Sequence, residues 1–260
     1  METYSRNLAF IVLAAGLGKR MKSNKAKVLH EVLGKPMVHY VLETAIQFTN
    51  RNVYVIVGYQ SEIVRSSIEK EFDVHYVYQE KQLGTGHAVS CALPYLESQI
   101  QQIVILCGDT PLISQSTIAL LIHTHRNLKN DLTVLAVNME KPTGYGRILI
   151  KENQRVAGIV EEADATDFQR KIKIVNTGIY CVDRTFLSDA IESLTNHNAQ
   201  QELYLTDIVE IGFRKDKAIT AVIGEDSTEM MGVNSQDDLQ IAERQMRLRL
   251  SKNLDFRNSP

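Results

Sequence analysis

Glycines and cations near the N-terminus have the types and spacing of a phosphate-binding loop. A short apolar run leads into residues 13–21, which read Leu-Ala-Ala-Gly-Leu-Gly-Lys-Arg-Met. Gly16 and Gly18 allow the backbone to approach an anion without a Cβ in the way, and N–H groups in such a turn form anion-binding nests. Arg20 and Lys27 add positive charge. A structural turn explains the glycines equally well, so this segment alone leaves both interpretations open.

Two familiar phosphate-binding motifs do not fit this loop. The dinucleotide fingerprint needs a third glycine where Met21 stands, and no Gly-Lys-Ser/Thr of a P-loop follows. The sequence therefore disfavours both a Rossmann dehydrogenase and a P-loop NTPase.

A carboxylate follows an apolar strand further along the chain. Asp109 ends the sequence Leu-Cys-Gly-Asp directly after the apolar run 103–106. Ligands of open α/β folds bind at the carboxyl edge of a parallel sheet. Mg²⁺ takes one or two protein carboxylates and completes its shell with water and phosphate oxygens, so a single aspartate suffices. A capping or turn aspartate before Thr110 is the alternative.

Short β-branched runs alternate with amphipathic stretches, which predicts a parallel sheet wrapped by helices. Pro36 suits a first helical turn, and Ser114 suits an N-cap. Strands are predicted over 8–13, 53–57, 74–78, 103–106 and 132–137, and helices over 36–48, 62–71, after His87 and after Ser114.

The pattern changes after Met139. A β-ribbon is predicted over 144–150 and 155–160, followed by strands over 172–181 and 218–223 and helices over 185–194, 205–213 and 235–250. The predicted fold class is α/β, with a doubly wound, mostly parallel Rossmann-like sheet and an inserted β-ribbon lobe.

Composition limits the class of protein. The 260 residues are enough for one large α/β domain, and a net charge of −2 without a basic block argues against nucleic acid as a partner. Cys91, Cys107 and Cys181 are too widely spaced for a Cys-x-x-Cys metal site. Without a secretion signal or an apolar stretch of about 20 residues, a soluble cytoplasmic protein with no membrane partner is expected.

Further motifs follow the glycine loop in order. They are Lys-Val-Leu-His at 27–30, Gly-Lys-Pro-Met at 34–37, Gln79, Gln-Leu-Gly-Thr-Gly-His-Ala at 82–88, Gly-Asp-Thr-Pro-Leu at 108–112, Pro-Thr-Gly-Tyr-Gly-Arg-Ile at 142–148, Ile-Val-Glu at 159–161, Asn-Thr-Gly at 176–178 and Gly-Val-Asn at 232–234. With these motifs the chain resembles the sugar-nucleotide pyrophosphorylases, and among them the uridylyltransferase domain of bacterial N-acetylglucosamine-1-phosphate uridylyltransferases.

The resemblance implies roles at the nucleotide end. Arg20, Lys27 and Asp109 would be the catalytic residues, with the two cations clamping the triphosphate of UTP, and Asp109 and Asn234 would ligate Mg²⁺. Asn234 alone would instead be interpreted as the N-cap of the last helix. The family usually has proline before this lysine, whereas Ala26 stands here and lacks the fixed φ. The other nucleotide-binding residues implied are Leu13, Ala14, Ala15, Gly16, Gln79, Gly84, Thr85 and Gly108.

The resemblance also implies a sugar-binding side. Its residues would be Gly146, Glu161, Asn176, Tyr204 and Thr206. A buried carboxylate and amide suit ring hydroxyls and an N-acetyl group, because an unpaired buried polar group is costly enough to give selectivity. The alternative for Glu161 is a solvated pair with its neighbour Glu162.

The implied domain organisation follows these roles. A nucleotidyltransferase domain would occupy 1–240, divided into a nucleotide-binding half over about 1–138 and a sugar-binding half over about 139–232, and a C-terminal helix and tail would occupy 235–260. Many relatives continue into a trimeric β-helix of hexapeptide repeats, and none occurs before Pro260, so a monomer without acetyltransferase activity is expected.

The sequence thus predicts a Mg²⁺-dependent enzyme that forms UDP-N-acetylglucosamine and pyrophosphate from UTP and N-acetylglucosamine 1-phosphate. Two alternatives stay close: a pyrophosphorylase that uses glucose 1-phosphate, and a cytidylyltransferase with the same opening loop. A third alternative is a non-catalytic sensor of UDP-sugars. A glycosyltransferase is disfavoured because no Asp-x-Asp occurs.

Overall fold

The structure, a computed structural model, describes residues 6–49, 51–151 and 155–257. Residues 1–5 of the predicted domain and 258–260 of the predicted tail lie outside the described residues. The strands are β1 (Leu8–Ala14), β2 (Glu31–Val32), β3 (Lys35–Pro36), β4 (Val53–Val57), β5 (His75–Tyr78), β6 (Gln102–Cys107), β7 (Leu132–Asn138), β8 (Arg147–Ile150), β9 (Val156–Val160), β10 (Ile174–Asp183) and β11 (Ile219–Gly224).

Helices connect these strands and cover both faces of the sheet. They are α1 (Met37–Ile46), α2 (Ser61–Ile68), α3 (Thr85–Ala92), α4 (Gln115–Asn127), α5 (Arg184–Ile191), α6 (Asp207–Arg214) and α7 (Gln236–Arg257). The predicted N-cap of α4 is confirmed, because the Ser114 side chain accepts a hydrogen bond from the Thr117 N–H at 3.2 Å. Among the described helices, none is both long and apolar enough to cross a bilayer.

The central sheet has the strand order β11-β7-β10-β6-β1-β4-β5. Strands β6, β1, β4 and β5 are parallel, as are β7 and β11, and β10 runs antiparallel to both β6 and β7. The predicted doubly wound, mostly parallel sheet is therefore confirmed.

The predicted ribbon is also present. Strands β8 and β9 pair antiparallel and join the main sheet where Arg147 of β8 lies opposite Val175 of β10. A small hairpin of β2 and β3, which the sequence did not predict, follows Lys27.

Strand β1 shows why the first half folds as a parallel sheet. Its sequence is apolar at consecutive positions because helices bury both faces. Phe10 and Val12 pack in one core with α1 and α4, whereas Ala9 and Ile11 pack in the other with α3, α5 and α6. This rigid strand carries the glycine loop at its carboxyl end.

Candidate active site

The glycine loop and Asp109 leave the sheet side by side. Strands β1 and β6 are neighbours with Leu13 opposite Cys107, and the Gly108 N–H donates to the Leu13 carbonyl at 2.9 Å. Gly16 is exposed, and a Cβ added there would meet nothing within 4 Å. The two segments that the sequence singled out therefore share one edge of the sheet, with open space above the loop.

Two cations converge on the acid and the amide at this edge. The Lys27 ammonium forms a salt bridge with Asp109 Oδ2 and donates to Asn234 Oδ1 at 2.6 Å. Arg20 Nη2 donates to the same Asn234 oxygen at 2.7 Å. The side chains of Lys27 and Asp109 are 15% and 16% exposed, so they can still be reached from solvent. The structure thus brings together the four residues to which the sequence assigned catalysis and metal binding.

The glycine loop packs directly on Lys27. Gly18 has a φ of +63°, and a Cβ placed on it would lie 2.6 Å from the Lys27 Cβ. A side chain at residue 18 would be strained in conformation and would clash. Glycine at this position lets the loop pass over the lysine stem.

Asn234 is held in place by a chain reversal before α7. Its Nδ2 donates to the Gly232 carbonyl at 2.9 Å, and the Val233 N–H donates to the Asp109 carbonyl at 2.9 Å. Ser235 precedes the helix and its hydroxyl accepts from the Asp238 N–H at 3.2 Å, so the alternative of Asn234 as the N-cap is wrong. Because Ser235 caps α7, the Asn234 side-chain oxygen is free of that role and faces Arg20 and Lys27.

The donors at this edge fit a magnesium ion. A carboxylate from Asp109 and an amide oxygen from Asn234 are hard oxygen ligands, which Mg²⁺ prefers, and both already contact cations. Gly232 lies beside them, and an added Cβ would be 3.8 Å from Asp109 Oδ2 and 3.3 Å from Asn234 Nδ2. Over the described parts of the chain, no group of three or more His, Cys, Asp and Glu side chains could hold a metal. A metal here would depend on substrate phosphates and water for its other ligands.

Gln79 and Gly84 lie on the far side of the glycine loop. The Gln79 N–H donates to the last residue of β4, and its amide nitrogen contacts the Gly84 carbonyl at 3.2 Å and His87 Nδ1 at 3.0 Å. Gly84 has a φ of +114° and directly precedes α3, which begins at Thr85. Both of these side-chain contacts use the Gln79 amide nitrogen, and the residue is 3% exposed, so Gln79 is packed into the protein at this edge.

Glu161 defines a second group of polar residues beneath the ribbon. Its carboxylate accepts from the Thr206 hydroxyl at 3.0 Å, and a Cβ on Gly146 would lie 3.4 Å from Glu161 Oε2. The Asn176 N–H donates to the Gly146 carbonyl at 2.8 Å. Burial raises the pKa of Glu161, despite the hydrogen bond from Thr206. Glu161 is therefore not half of a solvated pair, and that alternative is wrong.

Acidic side chains border a cavity next to this group. The cavity has a volume of about 970 Å³ between the ribbon and α6, and Glu161, Asp164, Tyr204, Asp207 and Glu210 are among its lining residues. Burial, together with Glu210, Glu161 and Asp164, raises the pKa of Asp207 to about 6. Of the sugar-binding residues implied by the sequence, Glu161 and Tyr204 thus line a cavity whose other charged lining residues include Lys151 and Arg214 besides the acids.

The two ends of the site are joined by the segment before α6. The Gly86 N–H donates to the Leu203 carbonyl at 2.8 Å, and the Leu205 N–H donates to the Thr85 hydroxyl at 3.0 Å. Tyr204, which lies between them, is buried. The segment that carries Tyr204, predicted to bind the sugar, is therefore hydrogen-bonded to the start of α3, where Thr85 is predicted to bind the nucleotide.

An ion pair between a buried arginine and a half-buried glutamate, which the sequence did not single out, shapes the loop between the two ends. Arg147 is 1% exposed, and its guanidinium contacts the Tyr145 carbonyl and donates to Glu162 Oε2 at 2.7 Å. Glu162 Oε2 also accepts from the Gly144 N–H at 3.1 Å. Desolvation raises the pKa of Glu162, but the hydrogen bonds from Arg147 and Gly144 outweigh it and leave the pKa below its ordinary value. Two features of the sequence could have indicated this ion pair. They are Arg147, which follows Gly-Tyr-Gly, and Glu162, which is the second glutamate of Glu-Glu at 161–162.

Cys107, His87, His123 and His125 all have contacts within the protein. Burial raises the pKa of the Cys107 thiol to about 12, so it is a neutral packing residue at ordinary pH. The His87 ring contacts the Gln79 amide nitrogen at 3.0 Å. His125 is buried against Thr133 whereas His123 contacts Asn127 on the surface, so the two histidines lie on different faces of α4.

Comparison with known proteins defines the family to which a chain with this sheet and this charged edge belongs. The family described as "Nucleotidyl transferase" matches residues 9–232. The chain belongs to this family.

Individual relatives agree with this placement. The chain is 44% identical over 248 residues to "Bifunctional protein GlmU" of Geotalea uraniireducens, covering 95% of this chain and 54% of that protein. The corresponding protein of Pelobacter propionicus is 45% identical over 248 residues, with the same coverage. The chain spans about half the length of these curated relatives. In Desulfotalea psychrophila the relative is 38% identical over 245 residues, and the match covers 94% of this chain and 72% of that protein.

A solved structure supports the fold. A crystal structure assigned as a glucose-1-phosphate thymidylyltransferase from Bacillus anthracis superposes with a TM-score of 0.71 and 21% identity. The match covers 92% of this chain and 95% of that one.

Proposed function

We propose that the chain is a Mg²⁺-dependent uridylyltransferase that acts as a monomer on UTP and N-acetylglucosamine 1-phosphate, releasing pyrophosphate and forming UDP-N-acetylglucosamine. The observation that carries the proposal is the convergence of Arg20, Lys27, Asp109 and Asn234 at the edge of the sheet beside the exposed glycine loop. The relatives named GlmU support the choice of substrates.

The reaction needs alignment and neutralisation more than a covalent intermediate. A phosphate oxygen of the sugar phosphate attacks the α-phosphorus of UTP, one P–O bond forms, and the bond to the β-phosphate breaks to release pyrophosphate. Lys27 and Arg20 stabilise the charge that develops on the departing group. Mg²⁺ held by Asp109 and Asn234 would add Lewis-acid stabilisation of the phosphate oxygens.

Charge on the two sides of the site orients the second substrate. The phosphate of a sugar 1-phosphate is attracted to Lys27 and Arg20 and repelled by the acids near Glu161. The hydroxyl groups of the sugar ring are donors, and Glu161 is a strong acceptor because a carboxylate accepts at both oxygens. The substrate therefore enters with its phosphate towards the glycine loop and its ring towards the ribbon.

A substrate matrix tests this function. UTP, CTP and dTTP are each combined with N-acetylglucosamine 1-phosphate and glucose 1-phosphate, and pyrophosphate release is measured with and without Mg²⁺. We expect the highest kcat/KM for UTP with N-acetylglucosamine 1-phosphate and no release without a divalent ion. Preference for glucose 1-phosphate or CTP would replace the substrate assignment. Binding of UDP-sugar without any pyrophosphate release would favour a sensor.

A further inference from the structure

A single glutamine clamps the backbone immediately before Lys27. Gln60 Oε1 accepts from the Ala26 N–H at 2.8 Å, and Gln60 Nε2 donates to the Asn24 carbonyl at 2.7 Å. One side-chain amide thus uses its acceptor and its donor on two backbone groups two residues apart. This arrangement fixes both the position and the direction of the chain that enters Lys27.

Gln60 is itself held firmly by elements of the sheet edge. It precedes α2, and its carbonyl accepts from the N–H groups of Ile63 and Val64, each at 3.0 Å. Its φ of +53° is left-handed, which a glutamine seldom adopts unless its surroundings determine it. The preceding residue, Tyr59, donates its N–H to the Ala15 carbonyl of the glycine loop at 3.2 Å. The clamp therefore links the start of α2 and the glycine loop to the backbone that precedes the lysine.

The group that Gln60 satisfies is a buried one. Ala26 is 1% exposed and has φ −53° and ψ 134°. If the amide of Gln60 were removed, the Ala26 N–H would lose its partner in a place that water reaches poorly, and the segment would relax to find another. The 3₁₀ turn that begins at Lys27 comes directly after Ala26. A movement of Ala26 would therefore shift the Lys27 Cα, from which the lysine side chain extends.

We propose that Gln60 is a positioning residue that sets the backbone of Lys27 and thereby holds its ammonium group at Asp109 and Asn234. The proposal rests on the proposed function, in which Lys27 binds the triphosphate. Gln60 itself acts through Ala26 and touches no substrate.

The test uses kinetics with each substrate varied in turn. Gln60→Ala is expected to lower kcat/KM for UTP by about five- to tenfold, the size of one lost hydrogen bond, and to leave KM for the sugar phosphate unchanged. Gln60→Gly removes the same amide while relieving the left-handed φ, so it keeps the test valid if the alanine variant folds poorly. Gln99→Ala, which removes an exposed glutamine before β6, is the matched control and should behave as the parent.

Rescue separates positioning from general stability. The φ of Ala26 lies in the range that proline fixes, and proline has no N–H to leave unpartnered. In Gln60→Ala, the ring of an added Ala26→Pro would occupy the space that the amide leaves. The double variant should recover kcat/KM to within about twofold of the parent, whereas Ala26→Pro alone should give no gain because the ring displaces the glutamine amide.

A readout without turnover completes the test. Amide hydrogen exchange of a peptide covering 24–29 should be faster in Gln60→Ala than in the parent or in Gln99→Ala. Unchanged exchange, unchanged kcat/KM for UTP, or failure of the proline to rescue would each overturn the proposal. Lys27→Ala distinguishes failure of the positioning role of Gln60 from failure of the proposed function. If Lys27→Ala loses turnover while Gln60→Ala does not, only the positioning role is wrong. If Lys27→Ala retains full turnover, both the proposed function and the positioning role are wrong.

Discussion

The two ends of the candidate site arrange charge in opposite ways. At the glycine loop, Lys27 pairs with Asp109, and Arg20 shares the Asn234 oxygen with that lysine. Beneath the ribbon, Glu161 lies among other acids and its pKa is raised by burial, with Asp164 and Glu202 adding to the effect. The acid at the glycine loop is paired with a cation, whereas Glu161 and Asp207 at the other end have other acids among the groups that raise their pKa.

This difference indicates how each end meets its ligand. A lysine paired with an acid can exchange that acid for a phosphate, because a polyanion offers it more charge than one carboxylate does. A crowded carboxylate repels phosphate and favours neutral donors such as hydroxyl groups. The comparison therefore assigns anions to the glycine loop and the sugar ring to the ribbon, and changes at the two ends should have separable effects.

The largest effect is expected from Asp109→Ala. Asp109 is the one carboxylate among the metal ligands proposed here, so without it turnover in Mg²⁺ should fall by about 10³-fold or more. The fold should persist, since Lys27 keeps its hydrogen bond to Asn234. Pyrophosphate release measures turnover, and binding of Mn²⁺ by electron paramagnetic resonance measures the metal directly.

Asp189→Ala is the control for this change, because Asp189 is exposed on α5. It should leave both turnover and Mn²⁺ binding as in the parent. Retained turnover of Asp109→Ala in Mg²⁺ would contradict the metal assignment and remove the contrast between the two ends.

A smaller effect, confined to the sugar side, is expected from Arg147→Lys. Lysine keeps the charge, but it lacks the planar guanidinium group with which Arg147 contacts the Tyr145 carbonyl and Glu162 at the same time. The loop from Gly144 to Gly146 should loosen, raising KM for the sugar phosphate by about tenfold with little change in KM for UTP. Initial rates with each substrate varied at saturation of the other measure the two constants.

Arg155→Lys provides the comparison for this experiment, because Arg155 directly precedes β9 of the same ribbon and forms an ion pair with Asp216 in which the side chains are 41% and 87% exposed. It should change neither constant. An equal rise in both KM values for Arg147→Lys would show that the loop does not separate the two ends.

The sequence predicted the frame of this site well. Strand β4 occupies the predicted residues 53–57, and the ribbon and the cap at Ser114 are where they were expected. These features depend on local periodicity and capping, which a window of neighbouring residues contains. The implied convergence of Arg20, Lys27, Asp109 and Asn234 came from ordered family motifs, and the roles of these residues stay predictions, as do the domain boundaries.

The supporting contacts could not be predicted because they join residues far apart in the chain. Gln60 and Ala26 are separated by 34 positions, and neither has a recognisable motif. The Asn-Thr-Gly motif marks a bulge in β10 between Asn176 and Ile179, where Gly178 has a φ of +77° and approaches the Cys107 sulfur. Such fits depend on which strands become neighbours, which periodicity alone does not determine.

The smallest effect is a pH-dependent gain in stability at the acidic end. Burial and the neighbouring acids raise the pKa of Asp207 from an ordinary 3.8 to about 6. As the pH rises through this interval, residue 207 ionises in the unfolded chain before it ionises in the folded protein. The free energy of unfolding therefore falls as the pH rises, and the fall is complete above about pH 6. Asp207→Asn removes this loss, because an amide is neutral at every pH in the range.

We therefore expect Asp207→Asn to raise the thermal midpoint by about 2–4 °C at pH 8 and by much less at pH 4, measured by circular dichroism in the same buffer system. Asp189→Asn, at an exposed position, should change the midpoint little at either pH. The paired acid at the other end should respond in the opposite sense, because Asp109→Asn removes the salt bridge with Lys27 and gains nothing at pH 8. If Asp207→Asn raised the thermal midpoint equally at pH 4 and pH 8, the gain would not come from ionisation of Asp207. The contrast in charge between the ribbon end and the glycine loop would then be wrong.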